Sequence, residues 1–423
     1  MTANDDVSAV PGRTHGTDVL VFGAGPAGIA ATTALVDAGL DVLLVDTGKP
    51  ILSRDRNDPQ DLITGVGGAG PFSDGKFSWY PSATALWLLD DTQVLRQGYR
   101  WLTRNLSGLL AVPPFPESLT SRASEHVKAM GHVIEKKYDS AMLDLDTRLK
   151  LISELVEPLS STLRLGWTVN SIQGDSGDLT AHISDTDGNL HVISARALVA
   201  AGGRFGNLSS SLERVAPHAF RRYEVGVRLE MLDDQFFLQQ HDNLDPKFIW
   251  TDRDPDIEWR TFCTCRNGEV IGTSFHGLMS YSGRSDGPPT AVSNVGLNLR
   301  LKSEPKPDSP FRAEIDSLLA GAVGPFRTTL DEFLQDGMKW IGPQIDALLR
   351  SGLRRLPLRA QENVAVVGPT IEGTGYYPVL DGDLRVPGQK IWFAGDHTGI
   401  FRGLTAAFLS GYYAGTKAAD DLT

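Results

Sequence analysis

Apolar residues run from Val19 to Phe22, recur through an Ala-rich stretch after residue 26, and run again from Val42 to Val45. Short apolar runs bounded by turn residues mark buried strands, so 17–46 predicts a β-α-β unit. Residues 47–80 are rich in Gly, Pro, Asp and Arg and predict a long loop, a feature that is usually functional in a compact domain. Helical spacing follows over 84–110, with Leu86, Leu89, Val94, Leu95 and Trp101 on one face, until Pro113-Pro114-Phe115-Pro116 breaks it. Further helical patterns cover 118–131 and 144–161.

From Leu163 the period becomes two. Leu163–Gly166, Thr168–Ile172, Leu179–Ser184 and His191–Ile193 predict short strands, and the apolar run Ala197–Ala201 predicts a separate buried parallel strand ending at Gly202-Gly203. Strands are predicted again at Glu224–Glu230, Trp259–Cys265, Val270–Ser274 and Val295–Arg300. Helices follow over 310–321 and 328–351, strands at Val364–Val367 and Lys390–Ala394, and an apolar helix over 403–420.

The turn inside the first unit is Gly23-Ala24-Gly25-Pro26-Ala27-Gly28. In such a turn the first glycine permits the tight bend, the second lets backbone approach a pyrophosphate, and the third lets helix and strand pack closely. Asp46 ends the second strand, about 20 residues on, where a carboxylate takes ribose hydroxyls. Strand, turn, helix and acid together predict dinucleotide binding; the plainer reading is a βαβ unit with a Gly-rich turn. The simplest assembly is a nucleotide domain in three pieces, 17–80, 140–215 and 360–423. Residues 220–358 form an inserted domain, 84–135 a helical cap and 1–16 a disordered polar tail.

The chain has 423 residues, 41% hydrophobic and 22% charged, as expected for a globular protein of more than one domain. Its net charge of -12 argues against nucleic acid or an anionic membrane as partner. No apolar run approaches the roughly 20 residues of a membrane span. Cys263 and Cys265 are the only cysteines; they predict two small side chains on one strand face rather than a strained disulfide, and a reducing, cytoplasmic setting. No HExxH, CxxC or paired-His spacing marks a metal site, and a P-loop motif is absent. No feature specifies an oligomeric state.

Near the C-terminus a strand ends at Gly395-Asp396, a turn runs through Thr398-Gly399-Ile400-Phe401-Arg402-Gly403, and a helix starts at about Leu404. A carboxylate there can accept ribityl hydroxyls, and a helix N-terminus can face the part of a flavin that becomes negative on reduction. GAGPAG, a mid-chain strand ending AAGG and this FAGD segment together resemble FAD-dependent oxidoreductases of the glutathione-reductase-type superfamily. Gly67–Lys76, Val225–Glu230, Arg260–Cys265 and the segment from Gly395 to Leu404 resemble, within it, the little-characterised FAD-dependent dehydrogenases.

The resemblance implies an α/β fold, with a discontinuous Rossmann-like FAD-binding domain built on a parallel sheet and an inserted mixed α+β substrate domain. It implies non-covalent FAD held by Gly23, Gly25, Pro26, Ala27, Gly28 and Asp46, with Val169 at the adenine. Gly68, Ser73, Lys76, Gly202, Gly395, Asp396, Gly403 and Leu404 would lie along the rest of the cofactor. Lys76 reads equally as a solvated charge. Arg204, after AAGG, departs from the pattern and reads as an anion clamp or as the partner of a nearby acid.

Arg402 is the leading catalytic candidate, a cation for reduced flavin, or else a turn-holding residue. His397 is a candidate proton donor. His276, with Tyr281 and Arg284, sits in what reads as a Gly/Ser-rich loop. Arg228 alternates with Glu224, Gly226 and Glu230 on a polar strand face that lines a cavity or is merely solvated. Tyr376 is a candidate for orienting substrate. Only one dinucleotide turn is present, because Gly368–Gly373 lacks the spacing for a second. The implied reaction is therefore hydride transfer from a small organic molecule to flavin, by a dehydrogenase or oxidase. The alternatives are an NAD(P)H-fed reductase of C=C or C=N bonds and a non-redox flavin-binding protein.

Overall fold

The computed structural model describes residues 14–423 except 118–126, 131–132, 176, 209, 213, 240, 252, 357 and 359–362. Two large sheets organise them. In the first, Leu163–Leu165, Val42–Asp46, Thr14–Phe22, Leu190–Ala200 and Ile391–Phe393 lie side by side and parallel. Asp178–Ser184 pairs antiparallel with the first half of Leu190–Ala200, and Thr168–Asp175 pairs with it in turn. The predicted strands at 191–193 and 197–201 are thus one continuous strand. Its first half faces an antiparallel neighbour and its last three residues face Ile391–Phe393.

The helices Pro26–Asp37 and Leu404–Leu422 cover one face of this sheet. They pack backbone to backbone. A Cβ at Gly415 would lie 2.5 Å from the Ala31 carbonyl oxygen, and one at Gly411 would overlap the Ala27 carbonyl. The helix Thr92–Asn105, capped by Asp91, packs on the outer side of the C-terminal helix through Trp101 and Phe408.

The second sheet is antiparallel throughout. Its order is Phe326–Thr329, Ala365–Pro378, His218–Leu232, Val292–Leu301, Ile257–Cys265, Lys247–Thr251, Val133–Lys136 and Val127–Met130. Alternation sorts its residues. Val225, Val227 and Leu229 join Val295, Leu297, Leu299 and Trp259 under the helices Pro310–Leu319 and Pro343–Leu353. The opposite face carries Glu224, Arg228, Arg260, Asn298 and Arg300.

Several expectations are corrected. The first strand starts at Thr14, so 14–16 is not part of a tail; residues 1–13 lie outside the described residues. The 84–135 cap is not all helical. Thr84–Leu88 is a 3₁₀ turn separate from the helix, and Val127–Met130 and Val133–Lys136 are edge strands, because their backbones pair with each other and with Lys247–Thr251. Part of the predicted helix 118–131 lies outside the described residues.

The strand Ala365–Pro378 runs through Gly368–Gly373 and belongs to the second sheet, pairing along its length with His218–Leu232. That sheet is therefore not confined to 220–358. The predicted helix 328–351 is instead the strand Phe326–Thr329, a short helix Leu330–Leu334 and the helix Pro343–Leu353, interrupted where Gly337 takes φ 88°. Among the described residues no helix is long and apolar enough to cross a membrane.

Candidate functional site

A cavity of about 820 Å³ lies between the carboxyl ends of the parallel strands and the polar face of the antiparallel sheet. Gly23, Gly25, Pro26 and Ala27 form one wall. Gly23 has φ 99°, and a Cβ on it would sit 2.5 Å from the Ala201 carbonyl oxygen. A Cβ on Gly28 would overlap the Gly23 carbonyl, so Gly28 serves helix–strand packing and does not itself line the cavity. No side chain caps the helix that starts at Pro26. Its first-turn N–H groups lack intrahelical acceptors, and its positive end meets the cavity.

Asp46 lies on the same wall. It accepts hydrogen bonds from Ala24 N and Gly48 N, each at 2.8 Å, which ties the glycine turn to the strand end. Burial raises its carboxyl above the usual range despite those bonds. The loop 47–80 folds over the turn, with Gly67 N donating to Ala24 O at 2.8 Å. Two buried arginines brace this loop from behind. Arg54 donates to the carbonyls of Asp61, Val66 and Gly68 at 2.6–2.7 Å. Arg148 donates to Ser73 O at 2.8 Å and pairs with Asp286 at 2.9 Å. Nothing in local sequence pattern marks either as a loop clamp.

Gly68, Ser73 and Lys76 line the cavity, as do Val169 and Gly202. Lys76 is buried rather than solvated. Its ammonium donates to the Thr264 carbonyl and lies 3.0 Å from Asp74 and 3.5 Å from Asp245. Burial opposes that charge, but Asp245 and Asp74 outweigh it and hold the lysine well above its ordinary pKa.

Gly395, Asp396, Arg402, Gly403 and Leu404 form the opposite wall. Gly403, at φ 95°, starts the C-terminal helix, which again has no side-chain cap, so a second helix N-terminus meets the same cavity. Arg402 is bound to three acids: Glu224 at 2.9 Å, Glu372 at 3.1 Å and Asp396 at 3.4 Å. Arg204 pairs with Glu372 at 2.6 Å and Asp396 at 3.2 Å, so the residue after AAGG is an acid's partner. Burial would raise the Asp396 carboxyl, but Arg402 and Arg204 pull it below the ordinary value.

Three catalytic candidates stand away from the cavity. His397 is fully buried against Phe22 and Phe393, and its Nδ1 accepts from Gly202 N at 3.1 Å. Burial, with His218 nearby, pushes it down to about 3, so it is a neutral structural group rather than a cavity-facing proton donor. Arg228 is also fully buried, held by Asn294 Oδ1 at 2.9 Å and the Cys263 carbonyl at 2.7 Å. The polar face it belongs to does close the cavity, but Arg228 lies beneath the lining. Tyr376 bonds Glu304 and Arg312 and is absent from the lining. His276 does line the cavity, although as the exposed turn of the hairpin Glu269–Phe275 and Leu278–Arg284; Tyr281 and Arg284 are strand residues.

The wall from the antiparallel sheet contributes cations that the residue patterns did not single out: Arg222, Lys247, Arg260 and Arg300, with Lys136 beside them. They come from separate strands, and only register brings them together. Glu224 beneath them is fully buried. Burial raises its pKa, but Arg402, Arg300, Arg222 and Arg260 together hold it well below the ordinary range.

The two cysteines are free, with sulfurs 3.9 Å apart. They are not a regular i, i+2 strand pair, because Cys263 has φ 49° and a register shift separates Phe262 from Cys265. Cys263 faces the cavity and donates to Asp74 Oδ2 at 3.1 Å. Asp74, Cys263 and Cys265 bring ligand atoms within 4.8 Å of one another, but the Lys76 ammonium already supplies the positive charge there.

No protein-family model matches the chain, and no curated protein does. Among solved structures, the crystal structure of AlpK superposes with a TM-score of 0.43 at 16% identity, covering 96% of this chain and 63% of that one. The chain thus spans less than two thirds of that structure's length. A flavoprotein/dehydrogenase from Cytophaga hutchinsonii gives 0.40 at 14% identity, covering 96% and 79%. A geranylgeranyl bacteriochlorophyll reductase-like protein from Thermoplasma acidophilum gives 0.41 at 13% identity, covering 96% and 79%.

Proposed function

We propose that the cavity binds one FAD non-covalently and that the protein is an FAD-dependent oxidoreductase, a dehydrogenase or oxidase of a small organic molecule. The observation that carries this is the convergence of two uncapped helix N-termini and two strand-end carboxylates, Asp46 and Asp396, on one cavity. A helix N-terminus favours phosphate or another delocalised anion. Two of them facing one long cavity suit a cofactor with a pyrophosphate in the middle and a charge-accepting ring at one end.

The residues fit the group. Gly25 and Gly68 face each other so closely that a Cβ on Gly68 would stand 3.2 Å from Gly25 Cα, and any side chain there would fill the cradle. In this reading Gly23, Gly25, Pro26, Ala27 and Asp46 hold the ADP half with Val169 beside it. Gly68, Ser73, Lys76, Gly202, Gly395, Asp396, Gly403 and Leu404 hold the flavin half. FAD when bound supplies a two-electron acceptor. Arg402, fixed by three carboxylates, keeps a positive charge beside the helix start at every working pH.

The test is the visible spectrum of the purified protein and, for a colourless preparation, FAD titration followed by flavin fluorescence. Stoichiometric uptake of one FAD, lost in Gly25→Val and released by acid or heat without protein, is expected. A folded protein that takes up no FAD overturns the reading.

A further inference from the structure

The wall of the cavity contributed by the antiparallel sheet holds more positive charge than its neighbours neutralise. Lys247 and Lys136 are direct cross-strand partners, an arrangement in which like charges repel. Arg260 and Arg300 stand beside them in the same lining. The acids within reach are already engaged: Glu224 by Arg402, Arg222 and Arg300, and Glu258 by Arg260, Arg300 and Lys302. Among the described residues Lys136 donates only to the Thr84 hydroxyl, at 2.6 Å. The Lys247 ammonium has no hydrogen bond or ion pair among the described residues.

A charged group taken out of water without a partner is costly, and proteins normally pair it. Burial, then Arg260, Lys136 and Arg300, hold Lys247 well below its ordinary pKa, and burial with Arg260 and Arg300 brings Lys136 to about 8. An opposite charge placed between them would offset both shifts. Apolar groups, Ile249 and Phe262, line the cavity two residues along the strands from Lys247 and Arg260.

We propose that Lys247, Lys136, Arg260 and Arg300 form an anion subsite for the substrate, which is an organic molecule with an apolar body and a terminal carboxylate or phosphate. This rests on the oxidoreductase reading of the same cavity. Lys247 supplies the unshared positive charge, and Arg260 and Arg300 are held in place by Glu258 and Glu224 to present N–H donors around it.

The experiment titrates FAD-loaded protein with benzoate, phenyl phosphate and inorganic phosphate, following flavin absorbance and tryptophan fluorescence. Saturable binding of benzoate or phenyl phosphate with FAD retained is expected, and whichever binds more tightly names the anion. Lys247→Met weakens that binding on the order of tenfold or more, the worth of one charged hydrogen bond. Lys247→Arg restores most of it, and FAD uptake is unchanged in both. Because Lys247→Met removes an unpartnered cation, its thermal midpoint is expected to hold or rise, which separates weak binding from misfolding.

Absence of binding, equal affinity in Lys247→Met, or displacement of the anion by FAD overturns the inference; displacement would assign the cations to the cofactor. If the protein takes up no FAD, the oxidoreductase reading fails. The same titration on the flavin-free protein still decides the subsite.

Discussion

Glu224 is the sharpest place to test how the site is held together. It is fully buried in the second sheet and faces four arginines: Arg402 at 2.9 Å, Arg222 at 3.5 Å, Arg260 at 3.9 Å and Arg300 in direct hydrogen bond. A unit charge pair at 4 Å is worth about 4 kcal/mol at an effective dielectric of about 20, before the cost of burial is subtracted. Removing one member of a buried pair typically costs about 3–5 kcal/mol. In Glu224→Gln most of the arginines keep another acid: Arg402 has Glu372 and Asp396, and Arg260 and Arg300 have Glu258. Arg222 keeps none, since Glu224 is its only ion-pair partner among the described residues and its other bond is to the Gly399 carbonyl. The loss therefore falls near the lower end, about 3 kcal/mol. At about 1 °C per kcal/mol for so long a chain, the thermal midpoint at pH 7 drops by roughly 3 °C.

The pH dependence gives a second readout. The Glu224 carboxyl has a folded pKa well below the ordinary 4.5, so its stabilisation is complete above that value and is lost as pH falls through the folded pKa. The gap between wild type and Glu224→Gln, measured by thermal or urea melts, should be flat from pH 8 to about 5 and narrow below it. A midpoint difference under about 1 °C at pH 7, or a gap that does not change in acid, refutes the assignment of Glu224 as the charge that fixes these arginines. FAD uptake is expected to survive, because Glu372 and Asp396 still hold Arg402.

Two further outcomes follow from packing and burial. Gly28→Ala places a methyl group against the Gly23 carbonyl oxygen, an overpacking that costs about 1–3 kcal/mol and pushes the turn outward. Its midpoint and its FAD affinity, read by flavin fluorescence, should fall together, and an unchanged affinity would falsify the role given to the turn. His397 sits at about 3 in the folded protein, below its unfolded value of 6.5, so its stabilisation is present above pH 6.5 and is lost as pH falls toward the folded value. One such group contributes a slope of about 1.4 kcal/mol per pH unit below about 6.5. His397→Asn, which keeps an acceptor for Gly202 N, should lack that part of the slope in melts between pH 7 and 5, while turnover, once a substrate is known, keeps its pH profile. A profile shifted by the substitution would return His397 to the chemistry.

What could be read from the residues, and what could not, divides along a physical line. Gly23, Gly28, Asp46, Gly395 and Gly403 were legible because each answers a local demand: a positive φ, a close approach, a strand end or a helix start. Local demands are written in residue identity. Lys136, Lys247, Arg260 and Arg300 answer no local demand. Their meeting depends on which strands pair and in what register, and a slip of one residue would send each to the opposite face. The misplaced strand Ala365–Pro378 shows the same limit, since its apolar start fits either sheet and only pairing with His218–Leu232 decides. Arg228 and Arg402 make the contrast sharpest. Both carry family resemblance and both have acids or amides nearby, yet one is sealed under the sheet by Asn294 and a carbonyl while the other reaches the cavity. The weak signal that was available lay in alternation: Lys247 with Ile249, and Arg260 with Phe262, put a cation and an apolar group two residues apart on one face. Such a face is unsuited to water and unsuited to a dry core. A cleft that takes a charged group and an apolar body together is the environment that satisfies both.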